Sequence, residues 1–212
     1  MPRIDRIGMA AFLTGALFAA APALAHGEHG GAAPAAAGEA QCFEAERSYF
    51  TDLPLVTQEG RPVRFFSDVL LGRTVLINFI FTQCEDACPL LTAKMVQAAE
   101  QFRKTGKGPV SLVSISVDPA NDTPEALARF ADMHGPAGDW TLLTGAPEDI
   151  MRVLARLGQH STDRNAHTTL LLAGNVNARR WVKIPPMDGP ELIAHRLALL
   201  STAQAANAAC GS

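Results

Sequence analysis

Two long apolar runs stand out in the central part of the chain. Thr74 to Phe81 reads TVLINFIF, and Val110 to Val117 repeats the pattern of a buried strand. Runs of this length that are rich in β-branched residues are typical of strands buried on both faces. Between them, apolar residues recur at steps of four, three and four, the spacing of one helical face: Leu91, Met95, Ala98 and Phe102. The pattern predicts a strand, a helix and a second strand parallel to the first.

The remaining chain predicts smaller elements on both sides of this unit. Val63 to Phe66, after a turn that ends at Pro62, predicts a hairpin strand near the N-terminus. Thr123 and Pro124 predict the N-cap and the first position of another helix. The later predicted elements are a strand at Trp140 to Leu143, a helix that ends at Gly158 and a helix at Glu191 to Leu200. Between these two helices, Thr168 to Leu172 and Arg180 to Ile184 predict an antiparallel hairpin whose turn is Gly174-Asn175-Val176-Asn177.

This order of helices and strands predicts an α/β protein and matches one known fold. A parallel strand, helix, strand unit that is followed by an antiparallel hairpin and a helix is the order of the thioredoxin fold. The helix after Thr123 and the strand at Trp140 to Leu143 are then an insertion, and the strand at Val63 to Phe66 belongs to an N-terminal β-hairpin extension. We therefore expect a thioredoxin-like fold with an inserted helix and strand and an N-terminal hairpin.

The N-terminal segment has the pattern of a secretory signal peptide. Arg3 and Arg6 precede an apolar run from Met9 to Ala20, and Ala23-Leu24-Ala25 is a small-x-small cleavage pattern. A transmembrane anchor is the alternative, but the apolar run is shorter than the roughly 20 residues that a bilayer requires. We expect export to the periplasm with cleavage after Ala25, and membrane association only if the signal peptide stays uncleaved.

Composition and charge define the rest of the domain organisation. Residues 26–41 are rich in Gly, Ala and Pro without a helical or strand period, which predicts a flexible linker. Residues 42–212 are enough for one domain with a buried core. The formal net charge is -3 and there is no cluster of Lys or Arg, so the sequence offers no electrostatic surface for nucleic acid.

The four cysteines fall into two pairs that need separate explanations. Cys42 and Cys210 lie at the two ends of the predicted domain, and an oxidising compartment favours a disulfide between them. Cys84 and Cys88 lie close together in FTQCEDACP, after the first buried strand and at the start of the predicted helix. A structural disulfide is one interpretation of the second pair, and a redox or metal site is the other.

The position of Cys84 and Cys88 favours the redox or metal site. Open α/β sheets place their sites at the carboxyl ends of strands, and a helix N-terminus favours the thiolate, so we expect a lowered pKa for Cys88 above all. Three residues between the thiols, instead of the two of a thioredoxin motif, leave room for an ion, and two sulfurs suit Cu(I). Cys84 has to lie off the helix for the pair to close. A third ligand is then expected, and His167, just before the strand at Thr168 to Leu172, is the best candidate.

These motifs together resemble one known family. FTQCEDACP, SVDPANDTPEAL and His167 ahead of TTLLLAGN are similar to the Sco/SenC family of copper-binding proteins, over about Tyr49 to Leu200. The resemblance implies a thioredoxin-like fold and copper binding by Cys84, Cys88 and His167. It also implies assistance in assembly of the binuclear copper site of cytochrome c oxidase, with that copper-site subunit as a partner and other periplasmic copper carriers or thiol reductases as further partners.

The resemblance leaves two functions open. One is a metallochaperone that transfers copper. The other is a thiol-disulfide oxidoreductase in which Cys84 and Cys88 are the catalytic pair and reduce the cysteines of that copper site or of other periplasmic proteins. Peroxidase chemistry is a third, less favoured, alternative because the cysteines stand in a CxxxCP motif with a distant histidine.

Several other polar residues have both a functional and a structural interpretation. Asp163 is a candidate to orient His167, or a solvated loop carboxylate. Asp118 and Asp122 follow the second parallel strand, where turn and cap chemistry is the favoured interpretation. A lone methionine such as Met187 is more often a packing residue than a ligand. Two N-terminal histidines after the predicted cleavage site are a separate copper(II)-binding hypothesis: His26 and His29.

Overall fold

The described part of the chain begins just after the predicted linker. The computed structural model describes residues 42–85, 87–105, 107–135, 138–160, 163 and 169–204. The predicted boundaries at residues 25 and 41 lie outside these ranges, as do His26, His29, His167 and Cys210. In the described residues, no helix combines the length and the hydropathy that a membrane crossing requires.

Five α-helices and seven strands make up the described residues. The helices are α1 (Glu44–Phe50), α2 (Ala87–Lys104), α3 (Pro124–His134), α4 (Pro147–Arg156) and α5 (Pro190–Gln204). The strands are β1 (Pro54–Thr57), β2 (Pro62–Arg64), β3 (Thr74–Ile80), β4 (Ser111–Ser116), β5 (Trp140–Thr144), β6 (Leu171–Asn175) and β7 (Arg180–Ile184). A π-helical segment, Phe65–Leu70, follows β2.

All seven strands form one sheet in the order β2-β1-β5-β4-β3-β6-β7. β3, β4 and β5 run parallel, whereas β6 is antiparallel to β3 and β7 is antiparallel to β6. β1 and β2 form the N-terminal hairpin, and β1 joins the sheet beside β5. The predicted thioredoxin-like fold is confirmed, with α3 and β5 as the inserted helix and strand between β4 and the final hairpin.

The centre of the sheet is buried on both faces. All seven residues of β3 are buried. Leu76 and Ile80 contribute to the core beneath α2, α3 and α5, whereas Val75, Ile77 and Phe79 contribute to the core beneath α1, α4 and the π-helical segment. Because helices cover both faces of the sheet at β3, the two faces of this strand are closed to solvent, and its ends are the places where side chains can reach solvent.

The final hairpin differs in position from the prediction. β6 begins at Leu171 rather than at Thr168, which lies outside the described residues, and Gly174 and Asn175 belong to the strand rather than to the turn. Asn175 is fully buried, donates a hydrogen bond to Thr74 Oγ1 at 2.9 Å and accepts one from the Ala178 N–H at 2.9 Å. Its amide therefore closes the turn from inside β6, whereas the sequence pattern placed it in the turn.

The N-terminal region also differs from the prediction. The predicted strand at Val63 to Phe66 ends at Arg64, and α1 was not predicted. Phe65 and Phe66 are both buried, at 0% and 1% exposure. Successive side chains of a strand point to opposite faces, and β2 at the sheet edge buries only one face. A helical turn buries both phenylalanines against the core, and the backbone changes to the π-helical segment at that point.

Gly174 supports a test of how β6 and β7 pack. A Cβ atom at residue 174 would clash with the indole of Trp181, the residue that pairs with Gly174 across β6 and β7. This indole also contacts Phe50 of α1, with ring centroids 4.6 Å apart. We expect Gly174→Ala to lower the free energy of unfolding by about 1 to 3 kcal/mol, the usual cost of overpacking. Urea denaturation measures the loss. Gly145→Ala is the control, because its nearest contact is the end of the Leu55 side chain at 3.3 Å, and an equal loss in both variants would contradict the prediction.

Candidate metal centre

The two central cysteines lie at the carboxyl edge of β3. The strand ends at Ile80, a loop follows, and α2 begins at Ala87. Cys84 lies in this loop, where its N–H donates to the Phe81 carbonyl at 3.1 Å, while Cys88 lies in the first turn of α2. The prediction that Cys84 lies off the helix is confirmed. Both thiols are therefore held at the edge where parallel α/β sheets place their sites.

The thiols of Cys84 and Cys88 face each other with unequal exposure. Cys88 is 1% exposed and packs in the core beneath α2, whereas Cys84 is half-buried against the same core. Both are free thiols, and their side chains are hydrogen-bonded to each other. The pair is thus a preformed dithiol with one sulfur within reach of solvent and the other behind it.

The expectation of a lowered pKa for Cys88 was wrong. Burial is the main cause that raises the pKa of the Cys88 thiol to about 12, with smaller contributions from the neighbouring Cys84 and Asp122, while a backbone hydrogen bond with Phe81 acts in the opposite direction. The free-energy cost of removing the thiolate from water is larger than its stabilisation by the partial positive charge at the start of α2. Without a bound cation, Cys88 is therefore protonated at neutral pH.

Asp122 has long-range contacts that the turn interpretation of the sequence did not anticipate. Its side chain is buried, at 1% exposure. Its Oδ1 accepts hydrogen bonds from Thr82 N–H at 2.9 Å and Thr82 Oγ1 at 2.7 Å, and its Oδ2 accepts one from Ser116 Oγ at 2.5 Å. The carboxylate joins the loop of Cys84 to the loop after β4. The sequence signal was its place after the second parallel strand, at the same sheet edge as the cysteines.

Asp118 has the turn role that was favoured for it. Its carboxylate accepts two hydrogen bonds from Asn121 Nδ2, at 3.0 and 2.9 Å, and its carbonyl accepts from the N–H groups of Asn121 and Asp122. These contacts close the loop between β4 and α3. Thr123 then caps α3 as predicted, because its Oγ1 accepts a hydrogen bond from Ala126 N–H at 3.3 Å.

The third predicted ligand, His167, lies outside the described residues. Within the described ranges, no group of three or more His, Cys, Asp or Glu side chains is arranged to hold a metal ion. Leu172 pairs with Ile77 in the antiparallel register of β6 and β3, so the chain enters β6 from the carboxyl edge of β3. Asp163, the candidate to orient His167, is exposed. The register places the start of β6 at the sheet edge that carries the cysteines, and the role of His167 stays a prediction.

Other candidate side chains have different positions. Met187 is 83% exposed, so the packing interpretation was wrong for it. It lies at the same sheet edge, because β7 ends at Ile184 opposite Leu171, and the preceding Pro186 carbonyl accepts a hydrogen bond from Lys94 Nζ at 2.6 Å.

A scan against protein-family models supports the resemblance seen in the motifs. The SCO1/SenC model matches residues 44–197, which is well over half of the chain. The SCO1 protein homolog of Bacillus subtilis strain 168 is 40% identical over 89 residues, which cover 42% of this chain and 45% of that protein. The chain spans about half the length of the curated relatives it matches.

Solved structures of similar fold come from the same family. Copper-bound ScoI of Bradyrhizobium japonicum has a TM-score of 0.58 and 26% identity, with 69% of this chain and 96% of that chain covered. BsSco, a member of the Sco family of cytochrome c oxidase assembly proteins with a disulfide switch, has a TM-score of 0.60 and 26% identity, with 72% and 93% covered.

The unequal exposure of the two thiols predicts unequal reactivity. In the reduced, metal-free protein at pH 8, we expect iodoacetamide to modify Cys84 much faster than Cys88, because Cys84 is only half-buried and Cys88 is buried with a raised pKa. The rate at Cys88 should keep rising above pH 10, since only the thiolate reacts. Peptide mapping by mass spectrometry gives both rates. Cys84→Ser and Cys88→Ser isolate each thiol, and faster labelling of Cys88 would contradict the described burial.

Proposed function

Because this chain belongs to the SCO1/SenC family, we propose that it binds copper through Cys84, Cys88 and His167 and assists assembly of the binuclear copper site of cytochrome c oxidase. The copper is cargo that the protein receives and passes on. The copper-site subunit of the oxidase is then the acceptor, and other periplasmic copper carriers or thiol reductases are further partners.

The observation that carries this proposal is the preformed dithiol. Cys84 and Cys88 are free thiols in hydrogen-bond contact at the sheet edge. Two adjacent sulfurs form a soft donor set, which selects Cu(I) over the harder cations. A bound copper ion would replace the protons of both thiols, and its charge would stabilise the thiolate that burial disfavours at Cys88.

The topology of β6 supports His167 as the third ligand. The chain enters β6 from the carboxyl edge of β3, and residue 167 precedes the first β6 residue, Leu171, by a short segment. An imidazole suits copper, and a third ligand leaves the coordination open enough for transfer to an acceptor. An acceptor protein can reach the ion at the half-buried Cys84, while the buried Cys88 keeps the ion bound until transfer.

The dithiol also supports the alternative function of a thiol-disulfide oxidoreductase. In that reaction, one thiolate attacks a partner disulfide to form a mixed disulfide and releases one partner thiol, and the second thiolate then displaces the other. The pair ends as a Cys84–Cys88 disulfide, and the partner gains two electrons and two protons. The exposure of the two sulfurs favours Cys84 as the attacking group and Cys88 as the resolving one.

Export and a terminal disulfide complete the proposal. The signal-peptide pattern that ends at Ala25 supports a periplasmic protein, the compartment in which disulfides persist. Cys42 is not among the free thiols of the described residues, and its proposed partner Cys210 lies outside them. A bond between the two would join the start of the domain to its end and restrict the unfolded chain.

His167→Ala separates the two functions. We expect the reduced variant to bind Cu(I) about tenfold or more weakly, since it loses one ligand of three, and to keep most of its rate of thiol-disulfide exchange. Competition titration against a Cu(I) chelator measures the affinity, and reduction of a disulfide substrate measures the exchange. His195→Ala is the control, because His195 is exposed on α5. Equal copper affinity in both variants would remove His167 from the ligand set.

The terminal disulfide has a direct test by thiol counting. In the denatured, non-reduced mature protein with Cys84→Ser and Cys88→Ser, we expect no reactive thiol, because Cys42 and Cys210 are then the remaining cysteines. A chromogenic thiol reagent gives the count before and after addition of dithiothreitol. Two free thiols before reduction would contradict the pairing.

A further inference from the structure

We propose that Asp122 is a positioning residue that sets the place of Cys84 relative to Cys88 by fixing Thr82, the residue at which the cysteine loop begins to turn. The side chain reaches across from the loop after β4 to a residue 40 positions earlier in the chain. The effect of Asp122 on copper affinity rests on the proposed function, while its effect on disulfide formation between Cys84 and Cys88 does not.

The contacts of Asp122 differ from those of a turn residue. Turn and cap chemistry in this loop is supplied by its neighbours, since Asp118 binds Asn121 and Thr123 caps α3. The Asp122 carboxylate instead contacts none of its own turn in the described hydrogen bonds and accepts from Thr82 and Ser116. Burying a carboxylate costs free energy unless it accepts hydrogen bonds. The three hydrogen bonds that the Asp122 carboxylate accepts offset this cost and hold the side chain in one position.

The same contacts determine where Cys84 lies. Thr82 is held at two points by one oxygen, through its backbone N–H and its hydroxyl. Two residues later, Cys84 N–H donates to the Phe81 carbonyl, so Thr82 and Gln83 are the central residues of the turn that presents Cys84. Cys88 is fixed independently by α2 and by its burial. We call the contacts of Asp122 with Thr82 and Ser116 the Asp122 clamp. It acts on Cys84, the member of the pair that lies in the loop.

Two substitutions weaken the Asp122 clamp, and a third serves as a matched control. Asp122→Ala removes all three acceptor contacts, and Ser116→Ala removes the one donor that orients Oδ2. Ser114→Ala is the control, because Ser114 is equally buried two residues earlier on β4 and its hydroxyl bonds Asn78 and Trp140 instead. Asp122→Asn keeps an oxygen for Thr82 and is the conservative variant.

The decisive measurement is metal-free. The mature protein is equilibrated with mixtures of reduced and oxidised dithiothreitol, and mass mapping gives the fraction of Cys84–Cys88 disulfide. We expect a severalfold lower equilibrium constant for disulfide formation in Asp122→Ala, a smaller decrease in Ser116→Ala, and values near wild type in Asp122→Asn and Ser114→Ala. Freeing the loop lowers the effective concentration of one thiol at the other, whereas the loss of a buried hydroxyl elsewhere on β4 leaves it unchanged.

Urea denaturation of each variant separates this effect from general destabilisation. Ser114→Ala and Ser116→Ala should lose similar stability, since each leaves two partners of a buried hydroxyl without their bonds. If Asp122→Ala does not fold, Ser116→Ala decides alone. An equilibrium constant in the clamp variants that is unchanged, raised, or lowered no more than in Ser114→Ala would overturn the proposal. So would an Asp122→Asn value as low as that of Asp122→Ala.

Cu(I) titration provides the second arm. If the proposed function holds, Asp122→Ala should bind Cu(I) about tenfold or more weakly, the usual effect of removing a group that orients a ligand. Wild-type protein that takes up no Cu(I) at its thiols would refute the proposed function and leave the dithiothreitol result to decide on Asp122. Weak binding in Ser114→Ala equal to that in Asp122→Ala would overturn the positioning role.

Discussion

Burial of β3 on both faces is the constraint on which the rest of this structure depends. A strand with seven buried residues needs helices above and below it, and α2 and α5 cover one face while α1, α4 and the π-helical segment cover the other. The parallel neighbours β4 and β5 and the antiparallel β6 complete its hydrogen bonding. Chemistry is then confined to the strand ends, and the loop after β3 carries the cysteines.

The same constraint decides the character of the two thiols. The first turn of α2 packs on the sheet, so Cys88 enters the core, and its burial outweighs the favourable field of the helix N-terminus. Cys84 stays half-exposed because it precedes the helix. In the proposed functions, the buried sulfur of Cys88 holds a soft cation, and the accessible sulfur of Cys84 can react or exchange that cation with a partner protein. Both proposed functions use this asymmetry.

Much of the fold could be predicted because its signals are local. The runs at β3 and β4, the apolar face of α2 and the cap of α3 were each visible as a pattern of neighbouring residues. The errors arose where distant contacts override local preference. Asn175 has the composition of a turn residue, yet its amide bonds Thr74 on the neighbouring strand. Phe65 and Phe66 have strand propensity, yet both are buried in a helical turn.

The sequence by itself determined the residue types at the site, their spacing and the family to which the chain belongs, because CxxxCP after a buried strand is a local pattern. Only the tertiary structure decided how those residues behave. The pKa of Cys88 depends on the helices and loops that exclude water from it, and Asp122 acquires its contacts from Thr82, 40 residues away in the chain. Solvation and long-range hydrogen bonding are properties of the packed molecule, so no local pattern encodes them.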